Sequence, residues 1–360
     1  MQKYFVALNC LEKLTSLRFL QLLKHFANDA EKIWRANRAE WAMAGIKQEI
    51  VQEIWQMKEK IDPDEELKKV KKIGAQVLPI TSMDYPQILR EIYNPPPVLL
   101  IRGEFPLSAD DFSVAIVGTR VATSYGRQVT TEFAHELAVA GVTIVSGLAA
   151  GLDAVAHRAT LDVGGRTIAV FGCGVDQFYP SQNSRLAMEI LQKGGALVSE
   201  YPLGTMPSAY TFPQRNRIIA GLSRGVLIVE GREKSGSLIT AKLALESNRE
   251  VFAIPGSIFS ETSMGPNRLI QEGARAVLSA SDIFETLNFQ DLPKKIEIHK
   301  VFTSSPEEVA VLEALQKNPC HSDEITRKSG LAANEVVAIL SLLEMKGLAK
   351  NLGGMNWVRS

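Results

Sequence analysis

Residues 114–147 read VAIVGTRVATSYGRQVTTEFAHELAVAGVTIVSG, and this stretch decides the fold class. Val114-Ala-Ile-Val117 is an apolar run that stops at Gly118. A continuous run, as opposed to an alternating one, marks a strand buried on both faces. Residues 124–140 then carry apolar side chains at helical spacing, Gly141 closes that helix, and residues 142–145 form a second apolar run. Strand, helix and strand in so short a span make a βαβ unit.

The alternation repeats downstream. Helices are expected at 152–162, 183–193, 215–222 and 238–247, and strands at 167–171, 196–199, 226–229 and 251–254, with Gly164-Gly165 and Gly194-Gly195 as punctuation. Upstream, Val77–Ile80 and Val98–Ile101 are short strands around Pro95-Pro-Pro97. The pattern predicts an α/β fold, an extended Rossmann-like, doubly wound parallel sheet. Ligands of such sheets sit beyond the carboxyl ends of the strands. The loops there are Gly118-Thr-Arg120, Ser146-Gly147, Gly172-Cys-Gly174, 230–237 and Pro255-Gly256.

The flanks differ in texture. Residues 1–72 read as a small helical domain containing Trp34, Trp41 and Trp55. Ala44-Gly-Ile46 fits the turn of a helix-hairpin-helix that grips DNA backbone, or simply the turn of a packing module. The sheet domain spans 73–287, a linker 288–303, and a C-terminal winged helix 304–360, where helices, Gly330 and a closing hairpin around Gly353-Gly354 follow one another. Its third helix bears Glu335 and Glu344, with Lys346 just beyond, which suits a partner or weak duplex contact better than a phosphate-facing role.

Composition narrows the function classes. The 40 basic and 40 acidic residues cancel, so a nucleic-acid site must be a local patch. Cys10, Cys173 and Cys320 match no metal or disulfide spacing. No apolar run approaches the roughly 18 residues of a membrane helix. A cytoplasmic protein without cofactor, metal or membrane contact is expected.

The glycine loops fail the tests for nucleotide enzymes. Gly172-Cys-Gly174 lacks its third glycine, with Gln177 in that place. Gly231-Arg-Glu-Lys-Ser-Gly236 has phosphate-loop spacing, but Ser237 stands where the lysine belongs and Leu238 where the metal-binding hydroxyl belongs. What remains is anion capture by backbone N–H groups and by arginine. Tyr210-Thr-Phe-Pro-Gln-Arg-Asn-Arg-Ile-Ile-Ala-Gly-Leu222 sets Phe212 beside Arg215, Asn216 and Arg217, an aromatic platform next to backbone contacts. Asp153 and His157, one helical turn apart, are either a catalytic or metal pair or, more simply, a cap with a hydrogen-bonded histidine beside it.

Taken together, Asp84-Tyr-Pro, Pro95-Pro-Pro-Val98, Gly118-Thr-Arg120, Ser146-Gly-Leu-Ala149 with Gly151-Leu-Asp153 and Ala156-His-Arg158, Gly172-Cys-Gly174, Tyr179-Pro180, Ser199-Glu-Tyr-Pro202, Phe212-Pro213 with Arg215-Asn-Arg-Ile-Ile-Ala-Gly221, Ser235-Gly-Ser-Leu-Ile-Thr-Ala241 and Gly265 with Asn267 resemble the DNA-processing protein A (DprA/Smf) family over about residues 75–285. The resemblance implies an extended Rossmann domain that binds single-stranded DNA without being an enzyme, forms homodimers and helps to load the RecA recombinase in natural transformation. It implies strand contacts at Arg120, at Phe212, Arg215, Asn216 and Arg217, and at Ser235, Gly236 and Ser237, and the loops at the strand ends add Gly118, Ser146 and Gly147. Ala150 and Ala209 depart from it, standing where charged residues occur in relatives. A dimer or recombinase interface is expected at the last sheet elements, with Leu269 and Ile270 the candidates and Ile270 preferred, since adjacent helical residues do not both face the sheet. The competing readings are a nucleotide-handling enzyme and a duplex-DNA regulator acting through the winged helix.

Overall fold

The computed structural model describes residues 1–106, 108–289, 306–315, 320–345 and 349–359. They fall into two units, divided at Ile296 and Glu297. The first is built on nine strands: β1 (Gln76–Pro79), β2 (Val98–Gly103), β3 (Ser113–Val117), β4 (Thr143–Ser146), β5 (Thr167–Phe171), β6 (Ala196–Ser199), β7 (Gly225–Ile228), β8 (Glu250–Ala253) and β9 (Arg275–Ala276). Their order is β1-β2-β6-β5-β4-β3-β7-β8-β9. From β6 to β9 every neighbour pair is parallel. β2 runs antiparallel to β6, and β1 antiparallel to β2, so an antiparallel pair extends the doubly wound sheet at one edge.

Alternation along β3 shows why its apolar run is continuous. Val114 and Ile116 pack under Phe133, Leu137, Leu152 and Ala156 of helices Ser124–Val139 and Leu152–Asp162. Ala115 and Val117 face the opposite way, toward Ile218, Ile219, Ala241 and Ala244 of helices Thr211–Gly221 and Gly236–Glu246. Full burial of such side chains stabilises by roughly 1.5–3 kcal/mol each. A polar residue at any of the four would therefore damage the layer it faces. The strands β3 to β6 step outward, and β7 returns to the other flank of β3. That reversal opens a crevice at the carboxyl ends of β3 and β7.

The six N-terminal helices, Gln2–Asn9, Ser16–His25, Ala30–Arg35, Arg38–Met43, Gln48–Lys58 and Pro63–Lys72, share one hydrophobic cluster with Val98, Leu100, Phe171 and Leu197 of the sheet. Trp41 is fully buried and donates its indole N–H to Ile33 O at 3.0 Å. The Lys58 ammonium lies 4.1 Å from the Trp55 ring centroid, and burial pushes its pKa down to about 8. At the Ala44–Ile46 turn Gly45 has φ +92°. The N–H groups of Gly45 and Ile46 are spent on Ala42 O and Trp41 O, and Gln21 donates to Ala44 O. The Gly45 and Ile46 donors are thus satisfied within the end of the preceding helix.

At the far edge, β9 pairs only with β8 among the described strands. Leu269 is buried in the core and Ile270 packs half-buried on the same cluster, so the pair expected to split between core and surface does so only weakly. Leu278, just past β9, projects and is 82% exposed.

The second unit carries helices Pro306–Ala314, Ser322–Ser329 and Ala333–Met345 and three short strands, Cys320–His321, Ala349–Gly353 and Asn356–Arg359. Val311, Ile325, Val336, Leu340, Leu343 and Trp357 form its core. This is a winged helix. Glu335 accepts from Ala332 N–H and Glu344 from Asn351 N–H, so both carboxylates hold turns within the unit. Lys346, Ser305 and most of the expected 288–303 linker lie outside the described residues. Phe289, by contrast, is buried against Phe112 in the first unit, with ring centroids 5.5 Å apart.

Candidate nucleic-acid interface

The crevice has a volume of about 670 Å³ and is walled by the loops after β3, β4 and β7 and by the first turns of helices Thr211–Gly221 and Gly236–Glu246. The first of these helices begins at Thr211, four residues earlier than its apolar pattern indicates. Phe212 and Pro213 thus stand in its first turn. Phe212 is half-buried, with the Tyr179 ring at 5.5 Å and tilted by 34°. The Arg120 guanidinium lies 5.4 Å from the Phe212 centroid and that of Arg215 lies 5.8 Å away. Gly172 makes room for the ring: a Cβ there would meet Phe212 Cδ1 at 2.8 Å. Arg120 is exposed and forms no ion pair among the described residues. A cation and an aromatic face at the mouth of a crevice suit a phosphodiester with its base.

The opposite wall is the Ser235-Gly-Ser237 turn. Ser235 Oγ accepts from Ser237 N–H at 3.3 Å and lies 2.8 Å from Ser237 Oγ. Gly236 faces open space. Asn216 spans the floor, receiving Arg215 Nε at 3.1 Å and reaching Gly236 O at 3.4 Å. Gly118, Arg120, Phe212, Arg215, Asn216, Ser235, Gly236 and Ser237 all line this one space.

Three expected contacts do not face it. Ser146 is fully buried and donates to Ile116 O at 2.7 Å, tying β4 to β3. Gly147 lies under the Arg215 guanidinium, where a Cβ would meet Nη2 at 2.5 Å. Arg217 is 9% exposed, and its two terminal nitrogens each donate to a Glu200 carboxylate oxygen at 2.6 Å. Its Nε donates to Asn94 O at 2.8 Å. The helix turns Arg217 about 200° from Arg215, just over half a revolution, away from the crevice.

Arg215 itself has a structural task. It is 4% exposed and donates to Gly147 O at 2.8 Å and to Val170 O, joining the ends of β4 and β5. Burial lowers its pKa. It stiffens the base of Phe212 and leaves the exposed charge to Arg120.

Asp153 changes the anion chemistry expected of the β4 loop. Its carboxylate accepts from Gly147 N–H at 3.1 Å and Ala149 N–H at 3.4 Å, and from Gly118 N–H as well. Burial raises its pKa, against the pull of Arg215 and those N–H groups. The backbone donors that a phosphate would use there are therefore already taken by an internal carboxylate. His157 does not pair with it: Nδ1 lies 2.7 Å from Thr167 Oγ1, and burial pushes its pKa down to about 3. The two are a loop clamp and a core histidine, and among the described residues no His, Cys, Asp and Glu cluster could hold a metal.

Sequence reasoning passed over three lining side chains. Tyr179 completes the aromatic platform, and Arg232 and Lys234 put two cations on the rim. Arg232 is held by Glu261 at 2.8 Å, and Lys234 forms no ion pair among the described residues. Both stand in the Gly231–Ser237 loop, where the sequence shows them as charge beside the expected Ser235–Ser237 contacts.

Residues 76–288 match the model of the family described as DNA recombination-mediator protein A, and residues 300–355 match the DprA winged helix domain. The chain is 49% identical over 214 residues to the DNA processing protein DprA of Bacillus subtilis, covering 59% of this chain and 72% of that one. It is 35% identical to the protein Smf of Synechocystis over 99% of this chain and 98% of the relative. Among solved structures, DprA of Streptococcus pneumoniae superposes with a TM-score of 0.69 at 38% identity, covering 79% of this chain and 98% of that one. DprA of Helicobacter pylori, whose structure addresses a single-stranded DNA binding mode, gives a TM-score of 0.54 at 33% identity, covering 60% and 96%.

Proposed function

The chain belongs to the DNA recombination-mediator protein A family, and from that premise we propose that its crevice binds single-stranded DNA. The observation that carries the reading is the pairing of an unneutralised Arg120 with the Phe212–Tyr179 platform in one crevice. A base stacked on such a ring contributes about 1–3 kcal/mol whatever its sequence. Arg120, Phe212, Lys234 and the Ser235–Ser237 turn are the residues that bear on the strand in this proposal. Arg215, Arg217, Ser146 and Gly147 support them from behind. Ala209 lines the crevice without adding charge, which favours a shallow salt dependence.

The protein acts in this reading as a binder that prepares DNA for the RecA recombinase in natural transformation, and not as a catalyst. Ser237 in the lysine position of the Gly231–Ser237 loop argues against phosphoryl transfer. Two copies pair along the open edge at β9, with Leu278 in the contact, so that two crevices share a long strand.

The test uses the full chain. Fluorescence anisotropy with labelled oligothymidylate and with duplex of the same length should give tight binding only to the single strand, unaltered by ATP or chelator. RecA filament growth on a coated single strand should quicken when the protein is added. Equal affinity for duplex, or steady ATP turnover by purified protein, overturns the reading.

A further inference from the structure

Arg120 borders a second depression as well as the crevice. This groove, of about 400 Å³, runs between helices Ser124–Val139 and Leu152–Asp162. Arg127 projects from the first helix and Arg158 from the second, and both are exposed. Ala150, Ala154 and Ala159 lie among its lining residues, so the space between the helices is left unfilled. Asp162 is the one carboxylate on the lining.

Three arginines gather in this one groove. Over the whole sequence 40 basic and 40 acidic residues balance. Four exposed arginines elsewhere are held in ion pairs, Arg35–Glu31, Arg38–Glu59, Arg232–Glu261 and Arg268–Glu272. Among the described residues Arg120, Arg127 and Arg158 are in no ion pair, and Arg158 does not close on Asp162 one turn away, although an i,i+4 pair is the easy outcome. Three cations against one carboxylate leave a local surplus of two. Like charges gathered in a groove oppose one another, and a polyanion relieves that opposition.

We propose that this groove is a second phosphate track, which carries the backbone of the bound strand onward from the crevice past Arg120. The inference rests on the single-strand reading above and extends it to residues outside the crevice. Continuity through Arg120 argues for the same strand. The guanidinium fork matches phosphate oxygens. An acidic protein partner fits less well, because a floor of alanines offers no deep pocket for an aromatic or arginine anchor. Arg158 lies seven residues along its helix from Gly151, so the track reaches about 10 Å beyond the crevice mouth at 1.5 Å per residue.

The double variant Arg127→Ala/Arg158→Ala tests it, since both side chains are on the surface and leave the core untouched. Each phosphate contact contributes about 0.7 to the salt slope of single-strand binding, so two lost contacts lower the slope by about 1.4. If affinities converge at 1 M salt, that difference is about 25-fold at 0.1 M. The loss should appear with oligothymidylates of about 30 nucleotides and vanish with those of about 6, which the crevice alone accommodates. Arg127→Lys/Arg158→Lys should restore most of the slope. A double alanine variant that matches the parent in slope and affinity at every length overturns the track and leaves the crevice standing. An equal loss with short and long strands also overturns it. A parent chain that binds no single strand at all removes both readings together. Inorganic polyphosphate is the control: weaker competition against the long strand in the double variant than in the parent is the expected result, and equal competition in both overturns the assignment to these arginines.

Discussion

Replacing Arg217 by alanine separates the sequence's view of this residue from the structure's. Its guanidinium makes paired contacts of 2.6 Å with Glu200 and further hydrogen bonds to Asn94 O at 2.8 Å and Gln214 O at 3.1 Å. Glu200 is 9% exposed. In Arg217→Ala the carboxylate keeps only Ser16 Oγ, at 3.4 Å, as a side-chain partner. Stripping one member from a buried pair costs about 3–5 kcal/mol, because the remaining charge is neither solvated nor matched. At about 2 °C per kcal/mol for a chain of this size, the melting temperature should fall by roughly 6–10 °C. Arg217→Ala/Glu200→Gln removes the orphaned charge and should regain part of that loss. Differential scanning calorimetry reads both, and anisotropy at a temperature where each variant is folded should find strand affinity unchanged. If Arg217→Ala melts with the parent yet binds single strands more weakly, with a salt slope lower by about 0.7, then Arg217 contacts phosphate and the reasoning here is wrong.

Phe212→Ala should weaken single-strand binding by about 1–3 kcal/mol, roughly 5- to 150-fold, with equal effect on all homopolymers; a loss confined to one base would point to hydrogen-bond readout instead of stacking. His157 has a folded pKa of about 3 against 6.5 for the ordinary group, so the unfolded chain takes up a proton that the native core refuses. Its contribution is complete above pH 6.5 and erodes as the pH falls toward 3, by roughly 3 kcal/mol near pH 4.5, so urea midpoints should fall less steeply with acid in His157→Gln; parallel profiles would count against this. Leu278→Glu should give monomers by light scattering, whereas Ile270→Glu should chiefly lower the melting temperature because Ile270 packs on its own core; a Leu278→Glu dimer places the interface elsewhere. Deleting 304–360 should leave single-strand affinity nearly unchanged, and a tenfold loss, about 1.4 kcal/mol, would show that the winged helix shares the strand.

The sequence by itself determined the layers. Continuous apolar runs at 114–117, 167–171 and 196–199 and the helical spacing between them specify which segments pair and which pack, because those periods are local properties of the chain. It also placed Phe212, Arg120 and the Ser235–Ser237 turn at strand ends, where a doubly wound sheet puts its ligands. It left undecided which cation meets solvent. Arg120, Arg215 and Arg217 look alike in a string, yet Arg217 is claimed by Glu200, Arg215 by Gly147 O and Val170 O, and Arg120 by no carboxylate among the described residues. The same holds for the β4 loop, whose N–H groups read as an anion cradle until Asp153 folds back to fill it. Burial and charge pairing depend on where packing turns each side chain and on which partner it meets there. For that reason the tertiary structure alone sorted the residues that face the crevice from those that hold it open.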